Sequence, residues 1–215
     1  MIAIDGINVD RHEYIVKRET SGAYDMKVSK AQAQANRRRI IEVAGELFRE
    51  RGFDGIGVND LMQAASLTRG GFYGHFESKE DLARQASEQA LAATTAHWSR
   101  TVDKAADPLA ELVDLYLSDR HRNSVGRGCA LAALGSDALR HGDALREVFG
   151  AGVESFVAAV AAKLPEGREA ERRERALAVV ATLVGALMLS RVSDEDLSRE
   201  LRAAAGAAIL RGNSA

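Results

Sequence analysis

The sequence predicts an all-α protein of about nine helices, and three observations support this prediction. From Ala31 onward, apolar residues recur with helical spacing almost throughout. Alanine is abundant, whereas only 5% of residues are aromatic and 2 are proline, a mixture that favours helices over sheets. No pair of stretches alternates convincingly as strands would. The 215 residues, 46% hydrophobic and 28% charged, exclude a disordered or fibrous chain.

Residues 1–25 do not share this pattern. Gly6, Gly22 and several small polar residues interrupt them, and no helical stripe runs through them. Because Met26 is followed at once by a basic, helix-prone segment, we expect a flexible extension or a mis-assigned start with Met26 as the true initiator. The stretch carries acidic residues and lacks an apolar core, so no signal peptide is expected.

Four helices are predicted in the first half of the chain. The first has an apolar stripe that stops at Gly52, and a glycine commonly follows a helix end. Ser78, with Asp81 three residues later, forms a variant of the N-terminal capping box and marks the start of the fourth. The second, third and fourth helices are predicted at about 59–65, 69–74 and 79–101.

Five more helices are predicted in the second half. A turn at Asp107–Pro108 precedes the first of them, and a polar loop at 118–127 follows it. The helices are predicted at 109–117, from about 128, at 145–164, at 169–192 and at 194–211. The most apolar stretch, 176–190, is shorter than the roughly 20 residues that span a bilayer, so we interpret it as a buried helix.

Charge singles out the N-terminal region. The formal net charge is only −2, but 10 Lys and Arg outnumber 8 Asp and Glu between residues 27 and 84. That surplus means little by itself. The cluster Arg37–Arg39, beside Lys27 and Lys30, is more informative because clustered cations are typical of surfaces that bind anions.

Residues 58–76 have the spacing of a helix-turn-helix motif, with a turn at Ser66–Thr68. Six apolar residues can form its core: Val58, Leu61, Ala65, Leu67, Phe72 and Phe76. Thr68 is predicted to cap the second helix. Five residues of that helix lie at non-core positions: Arg69, Gly70, Gly71, Tyr73 and His75. Each glycine lowers the stability of this helix by about 1 kcal/mol relative to alanine, and close approach to a phosphate chain would offset that loss. The alternative interpretation of residues 58–76 is an ordinary helical hairpin.

This segment resembles a known protein family. The matching residues, in order and spacing, are Gly52-Phe53, Val58, Asp60-Leu61, Ala65, Leu67-Thr68, Arg69-Gly70, Tyr73, His75-Phe76 and Ser78-Lys79-Glu80-Asp81-Leu82. Together they are similar to the N-terminal signature of TetR/AcrR-family transcriptional regulators. The resemblance covers about residues 36–84, and beyond them only the helix pattern and length are similar.

The resemblance implies a three-helix DNA-binding head, residues 30–84, on a helical effector-binding and dimerisation body, residues 85–215. It implies that the segment 68–76 enters the major groove of double-stranded DNA. The DNA-facing positions would then be Thr68, Arg69, Gly70, Gly71, Tyr73 and His75, with Lys79 on a phosphate. Arg37 and Arg38 can also contact the DNA backbone, or they form a solvated basic face.

Two residues depart from the family pattern. Ser66 stands where the turn usually has glycine, so it is predicted to hold a left-handed conformation at a cost of about 1 kcal/mol. Gly57 stands where a serine or threonine usually caps the first motif helix, and glycine supplies no side-chain oxygen.

The body offers candidate residues for two further roles. Trp98, Tyr116, Phe149 and Phe156 are candidate walls of an effector cavity, although aromatic residues at helical spacing are more often core. Cys129 begins a predicted helix, where the dipole favours the thiolate, so it is a candidate redox sensor. The alternative for Cys129 is an inert buried thiol. As the sole cysteine it excludes an internal disulfide and fits a reducing cytoplasm.

The last two helices predict a homodimer. Their apolar faces are rich in Gly and Ala, which let helices approach closely, so two copies can form a four-helix bundle. The residues concerned are Ala178, Ala181, Gly185, Ala186, Leu197, Leu201, Ala204, Ala205, Ala208 and Ile209. A dimer would place two reading helices about one duplex turn apart on a near-palindromic operator.

The expected function is therefore a small-molecule-responsive, DNA-binding regulator in the cytoplasm, usually a repressor in this family. An enzyme is disfavoured because the five histidines lack metal-ligand spacing and no phosphate loop occurs, so no metal or cofactor is expected. The alternative is a helical small-molecule-binding or interaction protein that does not bind DNA.

Overall fold

The computed structural model describes residues 29–212, which form nine α-helices and one 3₁₀ helix. The α-helices are α1 (Lys30–Arg51), α2 (Val58–Ala64), α3 (Lys79–Val102), α4 (Pro108–Tyr116), α5 (Asp119–Asn123), α6 (Ala130–Ala138), α7 (Asp143–Ala161), α8 (Glu169–Arg191) and α9 (Glu195–Arg211). The 3₁₀ helix, Arg69–Gly74, lies between α2 and α3. The all-α prediction is confirmed, and the expected extension at 1–25 lies outside the described residues.

Local signals in the sequence fix several helix ends. Gly52 ends α1 with φ 76°, a left-handed conformation that glycine adopts without a steric penalty. The Ser78 hydroxyl accepts from the backbone N–H of Asp81 at 3.1 Å and so caps α3, as predicted. Asp107 caps α4 in the same way, through the N–H groups of Leu109 and Ala110.

The prediction of a continuous polar loop at 118–127 is wrong, because α5 lies within it. Ser118 caps this short helix by accepting from the N–H of His121. The His121 side chain is buried among aromatic residues, which holds the helix against the body despite its polar sequence. Hydrophobic periodicity does not reveal this helix, because its buried residue is a histidine and not an apolar residue.

Two clusters of buried residues form the interior. One contains Phe48, Leu61 and Phe72 of the head together with Leu134 and Phe149 of the body. The other lies entirely in the body, between α4, α6, α7, α8 and the far end of α9. The head therefore shares its core with α6 and α7, and the predicted boundary at residue 84 falls inside the continuous helix α3.

The helix α6 is tied to the head at both of its ends. At the C-terminal end, the Asp137 carboxylate accepts from the backbone N–H of Phe53 at 2.9 Å. Just before the N-terminal end, Arg49 of α1 donates to the carbonyl of Gly126 at 2.7 Å. These two contacts join α6 directly to the head.

The apolar segment 176–190 lies within α8, where Leu183 and Leu187 are fully buried. Between residues 29 and 212, no helix has the length and apolar character needed to cross a bilayer.

Candidate nucleic-acid interface

The turn between α2 and the 3₁₀ helix is closed by a pair of backbone hydrogen bonds. The N–H of Leu67 donates to the carbonyl of Met62 at 2.8 Å, and the N–H of Ser66 donates to that of Gln63 at 2.9 Å. This is the hydrogen-bond pattern of a Schellman motif, whose left-handed position is normally glycine. Ser66 holds that position with φ 59°, as the sequence predicted.

The serine at this position has a contact that glycine would lack. Its hydroxyl accepts from the Arg39 guanidinium at 3.1 Å, which joins the turn to α1. Gly57, the other departure from the family pattern, is the N-cap of α2 and makes no side-chain capping bond. The turn is therefore positioned by backbone hydrogen bonds and by one contact from α1.

Phe72 fixes the orientation of the 3₁₀ helix. Its ring is fully buried against Phe76, with the two centroids 5.6 Å apart. Tyr73 follows it on the outer side with 71% of its surface exposed. The predicted Thr68 side-chain cap is wrong: the hydroxyl makes no capping bond, and the Thr68 carbonyl accepts from the N–H of Gly71 instead, which starts a 3₁₀ turn.

The glycines of this helix are not required by the packing of the described residues. A Cβ added at Gly70 or Gly74 would meet no atom within 4 Å, and one at Gly71 would lie 3.8 Å from Met62 Cε. The absent side chains therefore leave the backbone open to the outside. Such an opening suits close approach by another molecule.

Some basic side chains of the head contact other residues of the protein, whereas others face the solvent. Arg37 belongs to the first group, because its guanidinium donates to Gln85 and its Cζ atom lies 5.1 Å from the centroid of the Phe76 ring. These contacts hold α1 against α3. Arg38 and Arg69 are exposed, and Lys79 is half-buried at the first turn of α3. Within residues 29–212, neither Arg69 nor Lys79 forms an ion pair.

The exposed residues predicted to face DNA lie on one short stretch. Thr68, Arg69, Gly70, Gly71 and Tyr73 are exposed, and His75 is half-buried beside Phe76. Arginine, tyrosine and histidine side chains together with open backbone are groups that bind phosphates and base edges. The arrangement can therefore contact an anionic duplex with side chains and main chain at once.

Three of the four aromatic residues proposed as effector walls lie together in the body. The Trp98 ring centroid lies 5.6 Å from that of Tyr116, which stacks on Phe156 at 5.7 Å. Phe149 lies elsewhere, in the cluster shared with the head. His97, next to Trp98, is exposed.

Sequence reasoning missed His121, which completes this aromatic group. One of its ring nitrogens contacts the carbonyl of Tyr116 at 2.7 Å, and the other accepts from the N–H of Cys129 at 3.0 Å. These partners require a neutral ring with its proton on Nδ1. Burial lowers the pKa of His121 from 6.5 to about 4, a shift that the Tyr116 carbonyl opposes and Arg191 reinforces.

Cys129 is the N-cap of α6 and is 3% exposed. The guanidinium groups of Arg49 and Arg191 lie close enough to interact with it electrostatically. Burial limits the access of oxidants and electrophiles to the thiol.

The outer surface of α8 and the start of α9 carries exposed apolar side chains: Leu177, Met188, Leu189, Val192 and Leu197. The small residues Ala178, Ala181, Ala204 and Ala208 are also exposed, whereas Ala186 and Ile209 are buried. A concentration of exposed apolar residues on neighbouring helices is typical of a protein interface.

Sequence comparison finds relatives for the N-terminal part. Residues 40–86 match the sequence model of bacterial regulatory proteins of the tetR family. Over 95 residues the chain is 30% identical to the HTH-type transcriptional repressor DhaR of Mycobacterium sp. (strain GP1). The aligned stretch covers 44% of this chain and 48% of that protein. It therefore spans about half the length of this curated relative.

Structural comparison extends the likeness to most of the chain. A TetR transcriptional regulator from Chloroflexus aurantiacus J-10-FL is similar with a TM-score of 0.67 and 26% identity, covering 83% of this chain and 94% of that one. A TetR-family regulator from Cytophaga hutchinsonii is similar with a TM-score of 0.69 and 22% identity, covering 83% and 94%. Both contain a helical body behind a helix-turn-helix head.

Proposed function

The chain belongs to the tetR family of bacterial regulatory proteins, and from that premise we propose that it is a transcriptional repressor that a small molecule releases from its operator. The observation that supports this most directly is the exposed 3₁₀ helix, whose Gly70, Gly71 and Gly74 are not required by the packing of the described residues and which presents Arg69 and most of Tyr73 to solvent. A partner that approaches this backbone closely explains why glycines stand there.

The reading surface combines base and phosphate contacts. Arg69 is the residue suited to guanine, since its guanidinium can donate to O6 and N7 together. Tyr73 and His75 can donate to phosphate oxygens, and Lys79 adds charge beside the free amides at the start of α3. Thr68, Gly70 and Gly71 would let the main chain approach the duplex, and the exposed Arg38 can add a phosphate contact.

Two copies are proposed to pair through the exposed apolar face of α8 and α9. Such pairing buries Leu177, Met188 and Val192, which are otherwise open to water. It also yields two reading helices related by a two-fold axis, so the operator is near-palindromic with half-sites about 34–36 Å apart.

Release is proposed as a shift between two states of the dimer. One state holds the reading helices at the operator spacing, and the effector prefers the other state. The contacts of α6 with Phe53 and Arg49 support this route, since they join the body to the head at both ends of one helix.

We further propose that the protein is a cytoplasmic regulator without catalytic activity, because its expected target is genomic DNA and its relatives are regulators. Redox sensing by Cys129 is a second candidate for the signal, supported by the two guanidinium groups near the thiol. Alkylation of Cys129 is then expected to weaken operator binding, and unchanged binding by the alkylated protein would contradict it.

A mobility-shift assay on the DNA upstream of the protein's own gene tests this function. A repressor that controls its own promoter shifts this fragment, and the shift weakens as salt rises. A helical small-molecule-binding protein without DNA binding, the alternative, would leave the fragment unshifted at low salt.

A further inference from the structure

An open groove lies between α3 and α7. It has a volume of about 420 Å³, which is within the usual range for a small-molecule site. Its floor is apolar and includes Leu91, Val148 and Gly152, while Arg84, Glu88 and Glu147 lie at its rim. We call this space the outer groove.

A second space, the inner cavity, lies behind the groove. Its walls include Thr94, Thr95, Trp98, Cys129 and Phe156, and none of the residues lining it is charged. Its volume is about 10 Å³, so it holds at most one water molecule. The inner cavity as it stands is too small for an organic effector, and a ligand must enlarge it.

Leu91 separates the two spaces. Leu91 and Gly152 line both the outer groove and the inner cavity, and Leu91 is 6% exposed. The helices are so close here that a Cβ on Gly152 would lie 2.7 Å from Leu91 Cδ1. Leu91 is therefore the side chain whose rotamer controls passage between the groove and the cavity in the proposal below.

Trp98, one of the residues that line the inner cavity, carries an unused donor. The Trp98 Nε1 atom is buried, and no described residue accepts its hydrogen. Because indole nitrogen only donates, a hydrogen-bond acceptor on a ligand would complete it. Because none of the residues that line the cavity is charged, the cavity should favour an uncharged ligand over an anion, which would lose its hydration on entry.

We propose that this chain binds a small, uncharged, ring-sized molecule with one hydrogen-bond acceptor, which enters from the outer groove past Leu91 and places its acceptor on Trp98. The wall that it contacts includes Ala130 and Leu131, the first turn of α6. A ligand that enlarges the cavity thus pushes on the helix that contacts the head. This inference rests on the proposed function for its regulatory meaning, whereas the binding site itself does not depend on DNA.

Three ring compounds of similar size test the chemistry of the site on the full-length protein without DNA: cyclohexanone, methylenecyclohexane and cyclohexanecarboxylate. Trp98 is the sole tryptophan of the chain, so its fluorescence reports directly on the cavity. Cyclohexanone is expected to shift the Trp98 emission saturably. The carboxylate is expected to leave it unchanged, and saturable binding of the carboxylate with equal affinity would overturn the proposal.

Two variants test the residues, with calorimetry as the measurement. Trp98→Phe should weaken cyclohexanone about fivefold, the usual effect of one neutral hydrogen bond, and leave methylenecyclohexane unchanged. Leu91→Ala should accelerate the binding of both neutral compounds, as followed by stopped-flow Trp98 fluorescence, whereas Leu139→Ala, at the exposed C-cap of α6, should not change the binding rate. Equal losses for both compounds in Trp98→Phe, or no cyclohexanone binding by the folded wild type, would overturn the site.

The two proposals fail separately. Absence of ligand binding in these DNA-free assays contradicts the cavity proposal and does not bear on operator binding. Saturable cyclohexanone binding by a protein that shifts no DNA supports the cavity and contradicts the proposed function.

Discussion

The Arg39 guanidinium donates to the hydroxyl of Ser66 at 3.1 Å, across the turn that positions the reading helix. Ser66 carries a side chain at φ 59°, where glycine is free of the steric penalty. One residue thus combines backbone strain with a stabilising contact from α1. The turn retains its Schellman hydrogen bonds in spite of the strain.

A pair of substitutions at this position separates the two effects. Ser66→Gly and Ser66→Ala both remove the hydroxyl, but only alanine retains the strained left-handed backbone. The glycine variant should therefore be about 1 kcal/mol more stable than the alanine variant, as measured by urea unfolding. Equal stability of the two variants would show that the turn is not strained.

Gly70→Ala distinguishes a structural glycine from a functional one. Its added Cβ meets nothing within the described protein, so folding stability should stay equal or rise by up to about 1 kcal/mol. DNA affinity should fall about tenfold, because the methyl group would separate the helix from the duplex. The matched control is Gly150→Ala on α7, where a Cβ also meets nothing. Unchanged DNA affinity in Gly70→Ala would contradict the proposed approach.

Charge and base contacts should respond differently to substitution. Lys79→Ala and Tyr73→Ala should weaken binding to every DNA sequence. Loss of the lysine should also reduce the magnitude of the negative slope of log K against log salt by about 1. Lys104→Ala, in the exposed loop after α3, is the control for loss of one positive charge. A wild-type salt slope in Lys79→Ala would remove Lys79 from the phosphate contacts.

Arg69→Ala should instead relax sequence preference. Loss of a bidentate guanine contact reduces discrimination by about 1–3 kcal/mol at one position of the operator and has less effect on nonspecific DNA. Competition between the operator and single-base variants measures this. If the discrimination at every position stays at the wild-type value, Arg69 does not read a base.

His121 makes the stability of the body depend on pH. Its pKa is about 4 in the folded chain against 6.5 for an ordinary histidine, so the unfolded chain takes up a proton first as the pH falls. The free energy of unfolding should therefore decrease between pH 6.5 and 4, by about 3 kcal/mol in total. At pH 7 and above, this contribution should be constant.

Urea unfolding at several pH values checks the effect of His121. Other groups also titrate in this range, so the quantity to compare is the stability difference between wild type and His121→Gln. That difference should shrink as the pH falls. A difference that is independent of pH would exclude the buried neutral ring as the cause.

Much of the fold and of the head could be predicted from the sequence because the signals are local. Gly52, Ser78 and Asp107–Pro108 mark helix ends through backbone and capping chemistry that depends on a few neighbouring residues. The left-handed Ser66 followed from the resemblance, since the family usually has glycine at this position of the turn. Short-range rules of this kind do not require knowledge of the tertiary structure.

The features that could not be predicted depend on long-range contacts. Burial of His121, the bracing role of Arg37 against Phe76 and the separation of Phe149 from the other aromatic residues all follow from how helices pack. The Thr68 cap failed because the chain begins a 3₁₀ turn there, which uses the Thr68 carbonyl rather than its hydroxyl.

The most direct test of the central claim is selection of genomic DNA fragments by the purified full-length protein at low ionic strength, with wild type and an Arg69→Ala, Lys79→Ala double variant in parallel. The wild type is expected to retain a small set of near-palindromic fragments that the equally well folded double variant does not retain. Failure of the wild type to retain any fragment, or retention of the same fragments with equal affinity by the double variant, would contradict the account.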